Sequence, residues 1–303
     1  MRADMQAQAK EKLGAARLSV ISNSLLIALK LAVGWKIGSV AVLSEAVHSA
    51  SDLAAALIAF FAVKAAGMPP DDDHPYGHGK IEALSGLIEA VLIVGAAVYI
   101  VIESVNALFH GTHAHEVGWG ILVMGVSALV NVFVSRKLFA VAKKTESQAL
   151  EADGHHLLAD VWTSLGVLAG LALVKLTGEA RFDPLVAIAV STIIFRAGWG
   201  IARDATQLLL DGRLPEDELA LVEQILKDDP RALDWHKLRS RRVGSHRHID
   251  MHVLVDDDLS LRDAHALTED LEDKIRAILP NVEVMIHTEP FEEETRHRAE
   301  VPH

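Results

Sequence analysis

The chain has 303 residues, half of them apolar, with a mean hydropathy of +0.25 and yet a formal charge of −12 from 29 basic and 41 acidic side chains. That balance excludes a nucleic-acid binder, which needs a basic face to neutralise phosphates, and a disordered chain, which would be poor in apolar residues. The absence of cysteine excludes disulfides, iron–sulfur ligation, thiol catalysis and Cys-based zinc sites, so any metal must be held by nitrogen and oxygen, for which sixteen histidines are available.

The first predicted elements are six long apolar stretches, each near the roughly 20 residues a bilayer-spanning helix needs. They fall at Leu18–Ile37, Val40–Val63, Ala83–Phe109, Trp119–Leu138, His156–Leu176 and Pro184–Ile201. The first is not read as a cleaved signal peptide, because it starts late and an equally long span follows it. Arg2, Lys10, Lys12 and Arg17 precede the first span, Lys64 and Lys80 follow the second, and Arg136, Lys137, Lys143 and Lys144 follow the fourth. Arg203 and Arg213 follow the last, whereas the opposite side holds only Lys36, Lys175 and Arg181. The positive-inside rule then predicts a multi-pass protein of a bacterial inner or plasma membrane with both termini in the cytoplasm.

Charge divides the chain after Asp211. Residues 1–211 hold 16 basic and 19 acidic side chains, a net −3, and the remaining 92 residues hold 13 and 22, a net −9. The acidic part reads as helix Glu216–Asp228, strands Ala232–Arg241 and Arg247–Asp256 around Gly244, amphipathic helix Leu261–Leu279 and strand Val282–Thr288. That order predicts a small α+β sandwich with helices on one face of a three-stranded sheet. The expected organisation is a transmembrane domain over 1–211, a cytoplasmic metal-binding domain over 212–291 and a flexible tail over 292–303.

Ionisable groups inside a membrane helix are expensive and point to function. The second span holds His48 and Asp52 and the fifth holds His156 and Asp160, each an i, i+4 pair on one helix face. Two such helices packed together offer two nitrogens and two oxygens to one point, a tetrahedral set that zinc accepts. Small neighbours such as Ser49, Ala50, Ala159 and Ser164 permit close approach. The bland alternative is a pair of internal ion pairs; the same spacing on two separate spans argues for a shared site. Glu45 lies on nearly the same face and reads as a solvated or capping carboxylate, and Glu89 and Glu103 read as packing or interfacial groups. In the loop after the second span, Asp71, His74 and His78 are spaced so that one turn brings three ligands together. His110, His113 and His115 form a weaker cluster. A third cluster lies in the acidic domain, where His236, His252 and His287 fall on predicted strands, Glu289 lies two residues beyond His287 on the same face, and His265 is on the amphipathic helix.

These residues resemble the cation diffusion facilitator family of divalent-metal transporters over nearly the whole chain. The likeness is carried by Ser44-Glu-Ala-Val-His48-Ser-Ala-Ser-Asp52, by His74-Pro-Tyr-Gly-His78-Gly-Lys-Ile-Glu82, by Ala152-Asp-Gly-His-His156-Leu-Leu-Ala-Asp160 and by Val284-Met-Ile-His287-Thr-Glu-Pro290. The resemblance implies a homodimer of six-helix subunits, each with a metallochaperone-like, ferredoxin-like cytoplasmic domain, exporting metal from the cytoplasm in exchange for protons. It implies a transport site of His48, Asp52, His156 and Asp160, and places the chain in the zinc-preferring branch, with Cd2+, Co2+, Fe2+ and Ni2+ as related cargo. It matches Asp71, His74 and His78 to a second zinc site. It matches His236, His252, His265, His287 and Glu289 to a binuclear regulatory site at the dimer interface. Lys80 and Asp211 match an interlocking charge pair. The chain departs from the family at Glu289, where Asp is frequent and Glu reaches one methylene further.

The chemistry agrees with that expectation. Zinc needs neutral imidazole and ionised carboxylate, so protons compete with metal at one site, and an ordinary histidine titrates at about pH 6.5, where a proton gradient can act. A membrane-anchored metal sensor is the rival reading, and it leaves the intramembrane pairs unexplained. An intramembrane metallohydrolase would need an open coordination position and a general base, and the chain has no His-Glu-x-x-His.

Overall fold

Six helices long and apolar enough to cross a membrane come first in the computed structural model, which describes residues 2–37, 40–110 and 118–300. They are α1 (Arg2–Ile37), α2 (Val40–Ala66), α3 (Lys80–His110), α4 (Gly118–Thr145), α5 (Gln148–Thr177) and α6 (Phe182–Leu209). Several begin earlier than the apolar runs suggest. The fifth predicted span opens at His156, whereas α5 starts at Gln148, so Asp153 and His156 lie inside the helix. Hydropathy marks where a helix meets lipid. It does not mark polar turns that the bundle itself shelters.

The chain divides into two compact units, Met1–Thr206 and Gln207–His303. In the first, α1 packs on α2, α4 on α5, and α2 meets α5. Leu138, Leu150 and Leu157 are wholly buried, while Leu25, Phe61, Val91 and Phe133 project outward. That outward apolar surface is what a bilayer requires. Polar residues fill part of the interior instead. Glu82, only 3% exposed, accepts from Lys12 Nζ at 2.9 Å and from the Ser147 hydroxyl, tying α3 to α1 and to the start of α5.

The second unit contains α7 (Glu216–Asp228), β1 (Asp234–Val243), β2 (His246–Val255), α8 (Leu261–Ile278), β3 (Val282–Pro290) and α9 (Phe291–Glu300). The sheet order is β1-β2-β3, with β1 antiparallel and β3 parallel to β2. Gly244, at φ 60°, supplies the left-handed residue of the tight β1–β2 turn. Ser260 caps α8 by accepting from the Asp263 N–H at 3.2 Å. Ile249, Met251, Val253 and Val255 of β2 face a core completed by Val222 and Leu226 of α7 and Leu267, Leu271 and Ile275 of α8. A bulge between His236 and Arg239, with Lys237 at φ 51°, lets Trp235 and Leu238 both reach this core.

Residues 292–300, expected as part of a flexible tail, belong to α9. Glu292, Glu293 and Glu294 occupy its first turn, where carboxylates complement the helix dipole, and Asp257 Oδ1 accepts the Glu292 N–H at 2.8 Å.

A partly buried ion pair anchors α7 to the sheet. Arg247 donates from Nε and Nη2 to the two oxygens of Glu218 at 2.7 and 2.8 Å and from Nη1 to the Pro280 carbonyl at 3.1 Å. These hydrogen bonds from Arg247 hold the Glu218 carboxyl below the usual range. Because the folded-state value is depressed, this stabilisation is complete above the ordinary glutamate range and disappears as pH falls through the lowered value. Glu218→Ala strands the guanidinium and is expected to cost the second unit about 3–5 kcal/mol. Loss of hydrogen-exchange protection in α7 and β2 of the purified protein measures it.

Candidate metal sites

Asp52 on α2 and Asp160 on α5 meet at the wall of a cavity of about 160 Å3 that α1 and α4 complete. Each histidine faces the carboxylate of the other helix. His48 Nε2 lies 4.0 Å from Asp160 Oδ1, and His156 Nε2 lies 3.5 Å from Asp52 Oδ1. Donor atoms of His48, Asp52 and Asp160 fall within 4.8 Å of one another. His156 reaches Asp52 without joining that trio. Ligands about 2.1 Å from a tetrahedral ion stand about 3.4 Å apart, and the His156–Asp52 separation of 3.5 Å is close to that spacing. Both ring nitrogens of His156 and Asp52 Oδ1 are buried without a hydrogen-bond partner among the described residues. Buried polar atoms left open in this way suit a cation that would satisfy them.

Three further groups sit here that the sequence pattern does not single out. Asn131 Nδ2 donates to Asp160 Oδ2 at 3.5 Å, and Asn23 and Lys30 line the cavity from α1. Lys30 was detectable as an ionisable residue within an apolar run; Asn23 and Asn131 carry no spacing signal. Glu89, expected as a packing residue, is wholly buried, and neither it nor Asp153 has a hydrogen-bond partner for its carboxylate oxygens among the described residues. Glu103 is exposed. The side chains of Glu45 and His110, and residues His113 and His115, lie outside the described residues.

Between α2 and α3, the loop folds as its spacing suggests. Asp71 Oδ1 accepts the His74 backbone N–H at 2.7 Å and lies 3.2 Å from His74 Nδ1, while Asp71 Oδ2 lies 3.3 Å from His78 Nε2. The backbone bond from His74 is the main reason the Asp71 carboxyl lies below its usual range. Gly77, at φ 79°, provides the left-handed residue that turns the chain back. The structure thus brings Asp71, His74 and His78 together.

In the second unit, register aligns His236, His252 and His287 in one row across β1, β2 and β3. Their rings stand 4.9 and 4.7 Å apart, on the sheet face opposite the core. Glu289 links the row: Oε2 lies 2.8 Å from His236 Nε2, and Oε1 lies 2.6 Å from His252 Nδ1 and 3.7 Å from His287 Nε2. Burial raises the Glu289 pKa, but the hydrogen bonds with His252 and His236 outweigh it and hold the carboxyl below its usual range. One Glu289 oxygen thus faces His236, and the other faces His252 and His287. His265 does not join this cluster within one chain. It lies 3.6 Å from Glu269 on the exposed side of α8, because Ala264, Leu267 and Leu271 turn the other side of that helix to the core. Lys80 opens α3 and Asp211, at φ 57°, follows α6; they belong to different units.

Comparison with known proteins assigns the chain. The cation efflux transmembrane domain matches residues 16–210, and the cation efflux protein cytoplasmic domain matches residues 214–291. The chain belongs to the cation efflux family. It is similar to the cation-efflux pump FieF of Pectobacterium atrosepticum, 35% identical over 268 residues and 88% of each chain. An uncharacterized transporter of Synechocystis, sll1263, is 34% identical over 91% of this chain and 89% of its own length. Among solved structures, the metal-bound C-terminal domain of the CzcD transporter from Thermotoga maritima is 32% identical over 26% of this chain and 95% of that one, with a TM-score of 0.24. Membership makes this family member a multi-pass inner-membrane transporter of divalent cations and not an enzyme.

The geometry of the histidine row generates a test. With Asp52 and Asp160 both changed to Asn, Glu289→Ala should weaken calorimetric Zn2+ binding to the row by more than ~tenfold, or about 1.4 kcal/mol. His265→Ala should leave binding within one chain unchanged.

Proposed function

We propose that this cation efflux protein exports Zn2+ from the cytoplasm in exchange for protons, binding its cargo between α2 and α5. The cavity where His48, Asp52 and Asp160 converge with His156 beside Asp52 carries this reading. Two imidazoles and two carboxylates form a nitrogen–oxygen set suited to zinc, and protonation of the same groups releases it. A site that drops its metal when protonated couples the two gradients without further machinery. Both termini lie on the cytoplasmic side by the distribution of Lys and Arg.

The other clusters serve regulation in this reading. Asp71, His74 and His78 take a second zinc in the loop between α2 and α3. His236, His252, His287 and Glu289 bind regulatory metal on a sheet face that no helix of the core covers. Two copies of the chain meet there, and His265 is contributed by the partner. Metal bound at this face neutralises the excess acidity of the domain, tightens the homodimer and biases the population of its access states.

In proteoliposomes, Asp52→Ala and Asp160→Ala should each reduce Zn2+ flux by at least ~100-fold, about 2.7 kcal/mol, in protein that still folds. A pH-sensitive dye on the opposite side of the membrane should report proton movement driven by Zn2+ in the parent and none in either variant. Normal flux in a variant refutes the site, and flux without proton movement refutes the exchange.

A further inference from the structure

Two wholly buried carboxylates in the bundle belong to no ligand set. Glu89 of α3 and Asp153 of α5 are closed to solvent, and all four of their oxygens lack a hydrogen-bond partner among the described residues. They stand level with one another. α3 packs on α5 and approaches it so closely at Gly86 that a Cβ there would lie 3.7 Å from the Ala152 Cβ. Glu89 and Asp153 each lie within a turn of that contact and interact electrostatically. The other groups facing them are the Ser85 hydroxyl beside Glu89, and the Ser19 hydroxyl and His156 beside Asp153. Both serine oxygens are themselves buried without a partner among the described residues.

Spacing strings these groups into two files. On α3, Glu82, Ser85 and Glu89 share one face at i, i+3 and i+7, and on α5, Asp153, His156 and Asp160 do the same. The first file starts at the knot of Lys12, Glu82 and Ser147, where α3 and α5 begin. The second ends at the cargo cavity. Glu89 and Asp153 join the two in the middle. Two ionised carboxylates at full burial repel each other and forfeit their hydration. His156, the one cationic candidate beside them, has Asp52 at 3.5 Å. A single proton removes both penalties, because one acid then donates to the other.

We propose that Glu89 and Asp153 hold one proton between them and form a proton way-station between the cargo cavity and the Glu82 end of the bundle, outside the metal ligands. That the pair passes on exchanged protons rests on the reading of His48, Asp52, His156 and Asp160 as the transport site; that it shares a proton does not. A proton leaving the ligand set as cargo enters goes to Asp153 while Glu89 gives its own up toward Glu82. The pair thus holds one proton before and after. Coupling stays with the ligand set, and the station sets how fast protons reach or leave it.

Infrared spectroscopy of the full-length protein in detergent reads the shared proton, since only an un-ionised carboxyl shows the carboxylic-acid carbonyl stretch. Asp52→Asn and Asp160→Asn first silence the ligand carboxylates, and the pH is about 8, well above the ordinary carboxylate range. The band should be present, and adding Glu89→Gln with Asp153→Asn should abolish it. Should that combination fail to fold, Glu89→Gln alone must shift or remove the band. No band before these additions, or a band they leave untouched, overturns the shared proton. With the ligand set intact, Glu89→Gln should slow Zn2+-driven proton movement in proteoliposomes at least ~tenfold, a modest share of what a positioned proton-transfer group contributes. Calorimetric Zn2+ affinity of the cavity, with the other clusters disabled by His74→Ala, His236→Ala and His252→Ala, should not change. Unaltered proton movement, or a matching loss of Zn2+ affinity as a structural role predicts, overturns the way-station. Normal Zn2+ flux in Asp52→Ala or Asp160→Ala instead removes the transport-site reading and the relay with it, and leaves the infrared band standing.

Discussion

Two carboxylates on neighbouring helices in a bundle surrounded by lipid impose the constraint on which the rest of this molecule depends. Asp52 and Asp160 share one cavity wall, and like charges in a low-dielectric interior repel strongly unless something positive stands between them. The chain has no cysteine to make a permanent thiolate cage. It surrounds the pair with groups whose attraction is weak or reversible: imidazoles from the opposite helices, the Asn131 amide and the Lys30 ammonium. The arrangement leaves a place for a cation without fixing one there. That compromise is what the proposed transport role needs, whereas a structural metal site would avoid it.

The interior of the bundle is shared: polar side chains sit beside a buried apolar cluster, while many large apolar side chains project outward. Glu82, held by Lys12 and Ser147, closes one polar knot between α1, α3 and α5. Further along α3 and α5, the carboxylates of Glu89 and Asp153 lack hydrogen-bond partners among the described residues. A soluble protein would rarely tolerate such groups at full burial. Within this bundle they mark an interior that is not uniformly apolar, and polar residues such as Asp153 explain why hydropathy alone places the start of α5 too late.

How far the sequence discloses the molecule depends on the range of the interaction concerned. The i, i+4 spacing of His48 with Asp52 and of His156 with Asp160 is local, so one helical turn puts each pair on one face before any packing is known. Asp71, His74 and His78 likewise need only a short turn. The six apolar helices and the α7-β1-β2-α8-β3 order are periodic patterns, and periodicity survives folding. Lys30 joining Ser49, or Arg247 reaching Glu218, depends on helices and strands that meet only in three dimensions. The bulge at Lys237 is a single inserted residue with no composition signal. His265 shows the opposite case: within one chain its helix holds it on the other side of the sheet from the histidine row, which spacing alone does not reveal. The acidic start of α9 reads as disorder by composition, although Asp257 is in place to accept its first N–H.

The pleat of the small sheet keeps two kinds of information apart. Along β2, Ile249, Met251, Val253 and Val255 build the core, and His252 stands between two of them on the other face. Along β3, Val284 and Ile286 alternate with His287 and Glu289. Packing and the proposed metal chemistry are thus written on alternate letters of the same strands. If the face binds metal as proposed, substitutions at one parity would retune which ion it prefers while the other parity keeps the fold. In evolutionary terms, the domain is free to explore new metals at little risk to its own stability, a freedom the crowded cavity between α2 and α5 does not share.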